Sequence, residues 1–244
     1  MPRFSTATDV LNRAAVECGL LPDPNPVASS DESFQQLVQL LNGAGQELVE
    51  LHPWQGLIKS YQVITLHDDT GTYDLPDDFA YMIDQTGWER SNTRPMGGPL
   101  TPQDWTYLKG RDLVSQSIYA SFRIADNKLQ IYPNDPIQPD LDINFEYINR
   151  NWIVESSGVI YRDTVGASSD TILFDANMTI KFLKAKFLEA KGFDSTMARN
   201  EFAMLFEARI GKDAGAPILN ASFNSRGEPY LNGYYSVPDT GYGM

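Results

Sequence analysis

The sequence predicts an α+β protein. A helical part is built from N- and C-terminal helices, a mainly antiparallel β domain is inserted between them, and an extended arm follows. Three observations predict this. Apolar residues recur at three- and four-residue spacing up to Leu51 and again after Asp175. Between Leu57 and Ile153 the period falls to two. From Ala216 onward no period survives. The implied divisions are residues 1–56 (N-terminal helices), 57–174 (inserted β domain), 175–213 (C-terminal helical hairpin) and 214–244 (arm).

The first helix is predicted in "STATDVLNRAAVECGLL". Ser5 or Thr6 can cap it, because a hydroxyl accepts from an unpaired N–H of the first turn. Val10, Leu11, Ala14, Ala15 and Cys18 form the inner stripe, and Gly19 marks the end. "PDPNP" at Pro22–Pro26 then breaks the chain, since each proline disfavours helix in the residue before it. A second helix follows in "SSDESFQQLVQLLNGAGQELVEL", with Ser29, Ser30 or Asp31 as its cap. Phe34, Leu37, Val38, Leu41, Leu48 and Leu51 share one face. Gly43 and Gly45 each cost about 1 kcal/mol against alanine. They read two ways: a poorly optimised helix, or a place where another helix approaches closely.

In the middle of the chain, "DINFEYI" puts Ile143, Phe145 and Tyr147 on one strand face and Asp142, Asn144 and Glu146 on the other. "SFRIADNKLQIYP" reads as a hairpin. Phe122 and Ile124 match Leu129 and Ile131, and Asp126-Asn127 tolerate the turn conformation. "LIKSYQVITL" and "YMIDQTGWER" are further strands, and "TPQDWTYLKGRD" is a short capped helix. "GTYDLPDDFAYMI" with the preceding Asp68-Asp69 could be an acidic site or punctuation. Punctuation is the better reading. Gly71 supplies positive φ for a turn, "TYDL" is a short strand, and Pro76 stops it. Asp77 or Asp78 then caps a turn with Phe79 and Met82 on its apolar side.

After Asp175, "NMTIKFLKAKFLEAKG" carries Ile180, Leu183, Phe187 and Ala190 and ends at Gly192. "DSTMARNEFAMLFEARIG" follows, capped by Asp194 or Ser195, with Met197, Met204, Leu205 and Ala208 on one side. Two helices joined by so short a turn form an antiparallel hairpin. They are apolar around more than one face, which a lone hairpin does not need. Phe182, Phe187, Phe202 and Phe206 are therefore candidates for contacts between subunits, beside an ordinary role in the chain's own core. The final stretch is rich in Gly, Pro, Asn and Ser yet carries Phe223, Tyr230, Tyr234, Tyr235 and Tyr242. A purely disordered tail is usually poor in aromatics, so this reads as an arm that folds onto a partner.

Composition removes whole classes of function. With 19 basic and 32 acidic residues the net charge is −13, opposite to that of a surface DNA binder. Cys18 is the single cysteine, so no intrachain disulfide framework exists, and it reads as a buried, inert thiol. No run approaches the roughly 18 apolar residues of a membrane span. The N-terminus lacks an export pattern, which implies a protein made in the cytoplasm and kept there or built into something larger. No phosphate-binding loop, dinucleotide fingerprint, nucleophile elbow or zinc-protease motif occurs. His52 and His67 stand in no ligand spacing, and "DDTGTYDLPDD" fails the calcium-loop pattern. No catalytic residue, metal or cofactor is expected.

Trp54, Leu57, the "YDLPDDF" stretch Tyr73–Phe79 and Trp88 come first in an ordered set. "LTPQDWTYL", "FRIADNKLQIYP", "FEYINRNWI" and "KFLKAKFLEAKGFD…AMLFEARIGKDAG" follow. This order resembles the head-to-tail adaptors of short-tailed bacteriophages, also called tail tubular protein A or head-completion proteins. The resemblance runs from about Thr6 to Gly215. It implies a non-enzymatic virion protein, a ring, usually dodecameric, beneath the portal. That ring extends the DNA channel and offers a docking surface to the tail nozzle or tail tube protein. It also implies that the C-terminal arm, with Phe223, Tyr230, Tyr234, Tyr235 and Tyr242, reaches the portal. Twelve copies at −13 each would bring −156 formal charges. An acidic channel wall would let dsDNA slide without sequence-specific binding. Two other readings stand beside this one: a tail-associated peptidoglycan hydrolase using paired carboxylates, and a monomeric β-rich binding module.

Overall fold

The computed structural model describes residues 4–65, 71–91, 94–110, 121–132 and 141–213. A two-residue strand, β1 (Ser5–Thr6), leads into α1 (Ala7–Glu17) and then α2 (Glu32–Leu51). The β region follows as β2 (Ile58–Ile64), β3 (Thr72–Asp74), β4 (Phe79–Met82), β5 (Trp88–Glu89) and β6 (Arg94–Pro95). After α3 (Pro102–Gly110) come β7 (Ser121–Ala125), β8 (Lys128–Tyr132) and β9 (Asp142–Asn149). Three short strands, β10 (Ile153–Val154), β11 (Tyr161–Arg162) and β12 (Thr171–Ile172), precede α4 (Ala176–Ala190) and α5 (Thr196–Asp213). The α+β class, with helices before and after an antiparallel β region, is the one the sequence predicts.

Local chemistry sets the helix ends. Thr6 caps α1 by accepting from the Asp9 N–H at 3.2 Å, and Asp31 caps α2 by accepting from Ser33 N at 2.7 Å. Gly19 and Gly192 follow α1 and α4 at φ +80 and +76, the left-handed conformation that closes a helix. Val10, Leu11, Ala14 and Ala15 are fully buried, and Cys18 is half-buried, where burial pushes its thiol pKa up.

In the β region, β9 is the organiser. One edge pairs antiparallel with β2 along its length, from Ile58↔Ile148 to Ile64↔Asp142. The other edge is shared by β4 and β5. Ile143, Phe145 and Tyr147 point into the core, as the alternation predicts. The predicted hairpin forms with Phe122↔Ile131 and Ile124↔Leu129 in register. Asp126 and Asn127 sit at φ 55 and 53, the positive pair a tight two-residue hairpin turn needs.

Two expectations are corrected. Phe79 and Met82 lie on a strand rather than on a capped turn. The turn is confined to Pro76–Phe79, and the next residues find β9 as a pairing partner. "YMIDQTGWER" is two short strands instead of one, because Gln85 adopts φ 63 and redirects the chain.

Two apolar clusters result. One joins α1, α2 and α4 with Trp152 and with Ile153 and Ile172 of the small sheet β1-β12-β10-β11. The other lies between the hairpin and the β2-β9 sheet. β4 contributes to both: a bulge between Phe79 and Tyr81 turns Met82 toward the second, while Tyr81 packs on the first. Inside the first cluster Gly45 proves necessary for contact, but the neighbour is an indole, not another helix. A Cβ on Gly45 would lie 2.1 Å from two ring atoms of Trp152, whereas one on Gly43 would meet nothing within 4 Å.

Candidate assembly surface

α4 and α5 form the predicted antiparallel hairpin, read from the pairs they make. Asp175 at the start of α4 meets Arg209 near the end of α5 at 2.8 Å, Phe182 stacks on Phe202, and Glu189 pairs with Arg199. The Asp175 carboxylate does double work. It accepts from Met178 N at 3.1 Å as the cap of α4, and its other oxygen holds α5.

α4 is sandwiched. Its inner face, with Met178, Ile180, Leu183 and Phe187, packs on α1 and α2, and its outer face receives α5. The charges of α4 are satisfied within the chain. Lys181 bridges Glu17 of α1 at 2.8 Å and Glu201 of α5 at 3.1 Å, and Lys184 reaches Glu17 at 3.4 Å. Burial alone pushes the Glu17 carboxyl up, but the two lysines outweigh it and hold the pKa below the ordinary value. Lys186 pairs with Glu47 of α2 at 2.6 Å.

α5 is different. Over 18 residues only Ala198 is buried. Its inner side carries Phe202 and Phe206. Phe202 stacks on Phe182 at 4.2 Å, and Phe206 meets Trp54 at 6.0 Å. Its outer side shows Met197 (74% exposed), Met204 (73%), Ala203 and Ala208, with Thr196, Asn200 and Glu207 as polar members and exposed Arg199 and Lys212 at its margins, and Phe193 (66%) extends the strip into the preceding turn. A solvated helix face is normally charged. This one is apolar and small-featured.

The four phenylalanines singled out in the sequence therefore occupy distinct places. Phe187 is buried in the chain's own core at 4% exposure. Phe182, Phe202 and Phe206 are half-buried between α4 and α5 and packed against that core. The fully presented residues are Met197 and Met204. Their i, i+7 spacing with Ala208, four residues on, was the available signal. Phe223, Tyr230, Tyr234, Tyr235 and Tyr242 lie outside the described residues. The chain enters that segment at Asp213, whose carboxylate accepts from Gln55 N at 2.8 Å and lies 3.7 Å from His52 Nε2.

The acidic stretch around Pro76 is structural where it is described, while Asp68 and Asp69 lie outside the described residues. Asp78 accepts from Lys59 at 2.5 Å and from the Tyr147 hydroxyl at 2.9 Å. Burial pushes the Asp78 carboxyl up, but these two donors outweigh it and hold the pKa low. Burial and the same carboxylate push Tyr147 far above its ordinary value. The group fastens a turn to a sheet. Among the described residues no group of three or more His, Cys, Asp or Glu side chains is placed to hold a metal ion, and no helix is long and apolar enough to cross a membrane.

No curated protein matches the chain. A family model, that of the SU10 adaptor protein, matches residues 5–225, which is 221 of the 244 residues. The match runs through both helical regions and the whole β region, so the chain belongs to the SU10 adaptor protein family.

Proposed function

We propose that this phage structural adaptor forms a ring of identical subunits, a dodecamer, between the portal and the tail nozzle or tail tube protein. The ring extends the DNA channel of the virion neck and is assembled in the host cytoplasm. The observation that carries the reading is the outer side of α5. An adaptor of the virion neck must contact other virion components, and this helix holds an apolar strip that none of the described residues covers. A closed ring needs two different complementary patches on each subunit. The α5 strip serves as one of them, with Phe182, Phe202 and Phe206 backing it from behind. Docking to the portal falls to the arm, through Phe223, Tyr230, Tyr234, Tyr235 and Tyr242. The net charge of −13 per subunit suits a conduit that dsDNA passes without being held.

The test is the mass of the purified protein by light scattering, alone and mixed with its phage's portal ring. A single large complex of fixed stoichiometry is the expected result. Failure to associate with portal at high concentration overturns the reading. Deleting residues 221–244 should abolish portal association while the subunit stays folded. Unchanged affinity after that deletion removes the arm from the account.

A further inference from the structure

The outer face of the β2-β9-β5 sheet holds an open pocket of about 270 Å³ that the assembly role does not use. Of the four tryptophans, Trp54, Trp105 and Trp152 are buried, and Trp88 is exposed at 36%, at the edge of this pocket. Around it stand Gln85, Arg90, Asn144, Glu146 and Ser60. The sheet register explains the gathering. Trp88 pairs with Asn144, and Ser60 pairs with Glu146, so alternate residues of three strands emerge on one side. Gln85 joins them from a left-handed backbone at φ 63, a conformation that costs energy for a side chain other than Asn, Asp or His. Asn144 gives one N–H to Asp142 at 2.7 Å. No hydrogen bond or ion pair among the described residues engages the side chains of Gln85, Arg90 or Glu146.

We infer that this pocket is a saccharide-binding site that takes one pyranose ring of a neutral glycan. A pyranose has an apolar C–H face and a rim of hydroxyls, each both donor and acceptor. The pocket matches both halves: an exposed indole as a platform, and a guanidinium, amides, a carboxylate and a serine hydroxyl around it. Its charge is balanced, with one arginine against one glutamate, on a chain of net charge −13. Both features disfavour a phosphate or another anion. Glu146 is the one carboxylate lining the pocket. Glycoside hydrolysis needs two, so this pocket binds and does not cleave.

The test follows tryptophan fluorescence of the full-length protein titrated into the millimolar range with chitotriose and, separately, maltotriose. Trp88 is the one exposed reporter. A saturable blue shift with one of the sugars, absent in Trp88→Ala, is expected. Glu146→Gln keeps the reporter and the fold, since its side chain is exposed, and should weaken binding roughly tenfold. The inference is overturned by no saturable change with either sugar, by a change that survives in Trp88→Ala, or by one that Glu146→Gln leaves untouched. Far-UV circular dichroism of both variants ensures that lost signal is not lost fold.

Discussion

Replacing Gly45 by alanine should destabilise the subunit, whereas the same change two residues earlier should stabilise it. On an isolated helix both gain about 1 kcal/mol. At Gly43 the new methyl meets nothing, so that gain stands. At Gly45 it would sit 2.1 Å from Cε2 and Cζ2 and 2.6 Å from Cη2 of Trp152. Ordinary carbon contacts lie at about 3.5–4.0 Å, so helix and indole must part by roughly 1.5 Å. The indole has nowhere to go. It is fully buried, its Nε1 donates to Asp163 O at 2.9 Å, and its face stacks on Phe174 with centroids 5.7 Å apart. Overpacking costs about 1–3 kcal/mol, and loosening a buried hydrogen bond adds about 0.5–1.5 kcal/mol. After the helical gain, the net loss is about 1–3 kcal/mol. The two variants should thus differ by about 2–4 kcal/mol in paired urea denaturation, or about 4–15 °C in Tm for a chain of this size. The colliding atoms all belong to the six-membered ring, so in a Trp152→Phe background Gly45→Ala should cost much less. A Gly45→Ala protein as stable as Gly43→Ala would refute the close-approach argument.

Two further perturbations separate assembly from folding. Met197→Glu and Met204→Glu should leave subunit stability within about 0.5 kcal/mol of the parent and abolish the large complex seen by light scattering. Retained assembly in both would move the subunit contact away from α5. Asp78 should give an acid-limb signature. Its pKa is held below 3.8, so its stabilisation is present above that value and is lost as pH falls through the folded pKa. Asp78→Asn should therefore lower stability at neutral pH by about 1–2 kcal/mol and flatten the fall between about pH 5 and 3. Urea midpoints across that range measure it, and a parallel acid fall in the variant would exclude Asp78 as its source.

What the sequence reveals depends on how local the cause is. The hairpin at residues 121–132 is legible because its strands, its turn pair and its register all lie within twelve consecutive residues. The inner faces of α1, α2 and β9 are legible from their periods, except that Leu51 at the last turn of α2 is exposed, and Thr6 and Asp31 are legible from the hydroxyl or carboxylate that a helix start needs, whereas the Asp175 cap of α4 is not among the predicted caps. β1, β10, β11 and β12 are not, since strands of two residues carry no period; β1 in addition finds its partner, β12, about 165 residues away. Phe79 and Met82 fail as a turn because β9, sixty-odd residues later, supplies the pairing. The glycine pair shows the limit most clearly. The sequence allows close approach at either residue, but only the fold says that Gly45 faces Trp152 and Gly43 faces open space. The α5 strip is half visible: of the grouped Met197, Met204, Leu205 and Ala208, the two methionines and Ala208 are exposed on the outer side while Leu205 is half-buried, and which side of the hairpin faces outward is decided by α4's packing on α1 and α2. The Trp88 pocket left no signal, because three strands assemble it.

The β region enters and leaves through one place, where Ile58 at the start of β2 pairs with Ile148 near the end of β9. A single-stranded tether there would act as a swivel. Here the crossing is double, Ile148 is itself part of the helical core, and the Tyr81 hydroxyl bonds Val49 O of α2 at 3.1 Å. Lys59 adds a tie, with its ammonium on Asp78 and over the Tyr161 ring at 5.2 Å. The mount is therefore torsionally stiff. A load applied to the sheet passes into α2 as torque instead of dissipating in a bending joint, and sheet and helices turn as one lever.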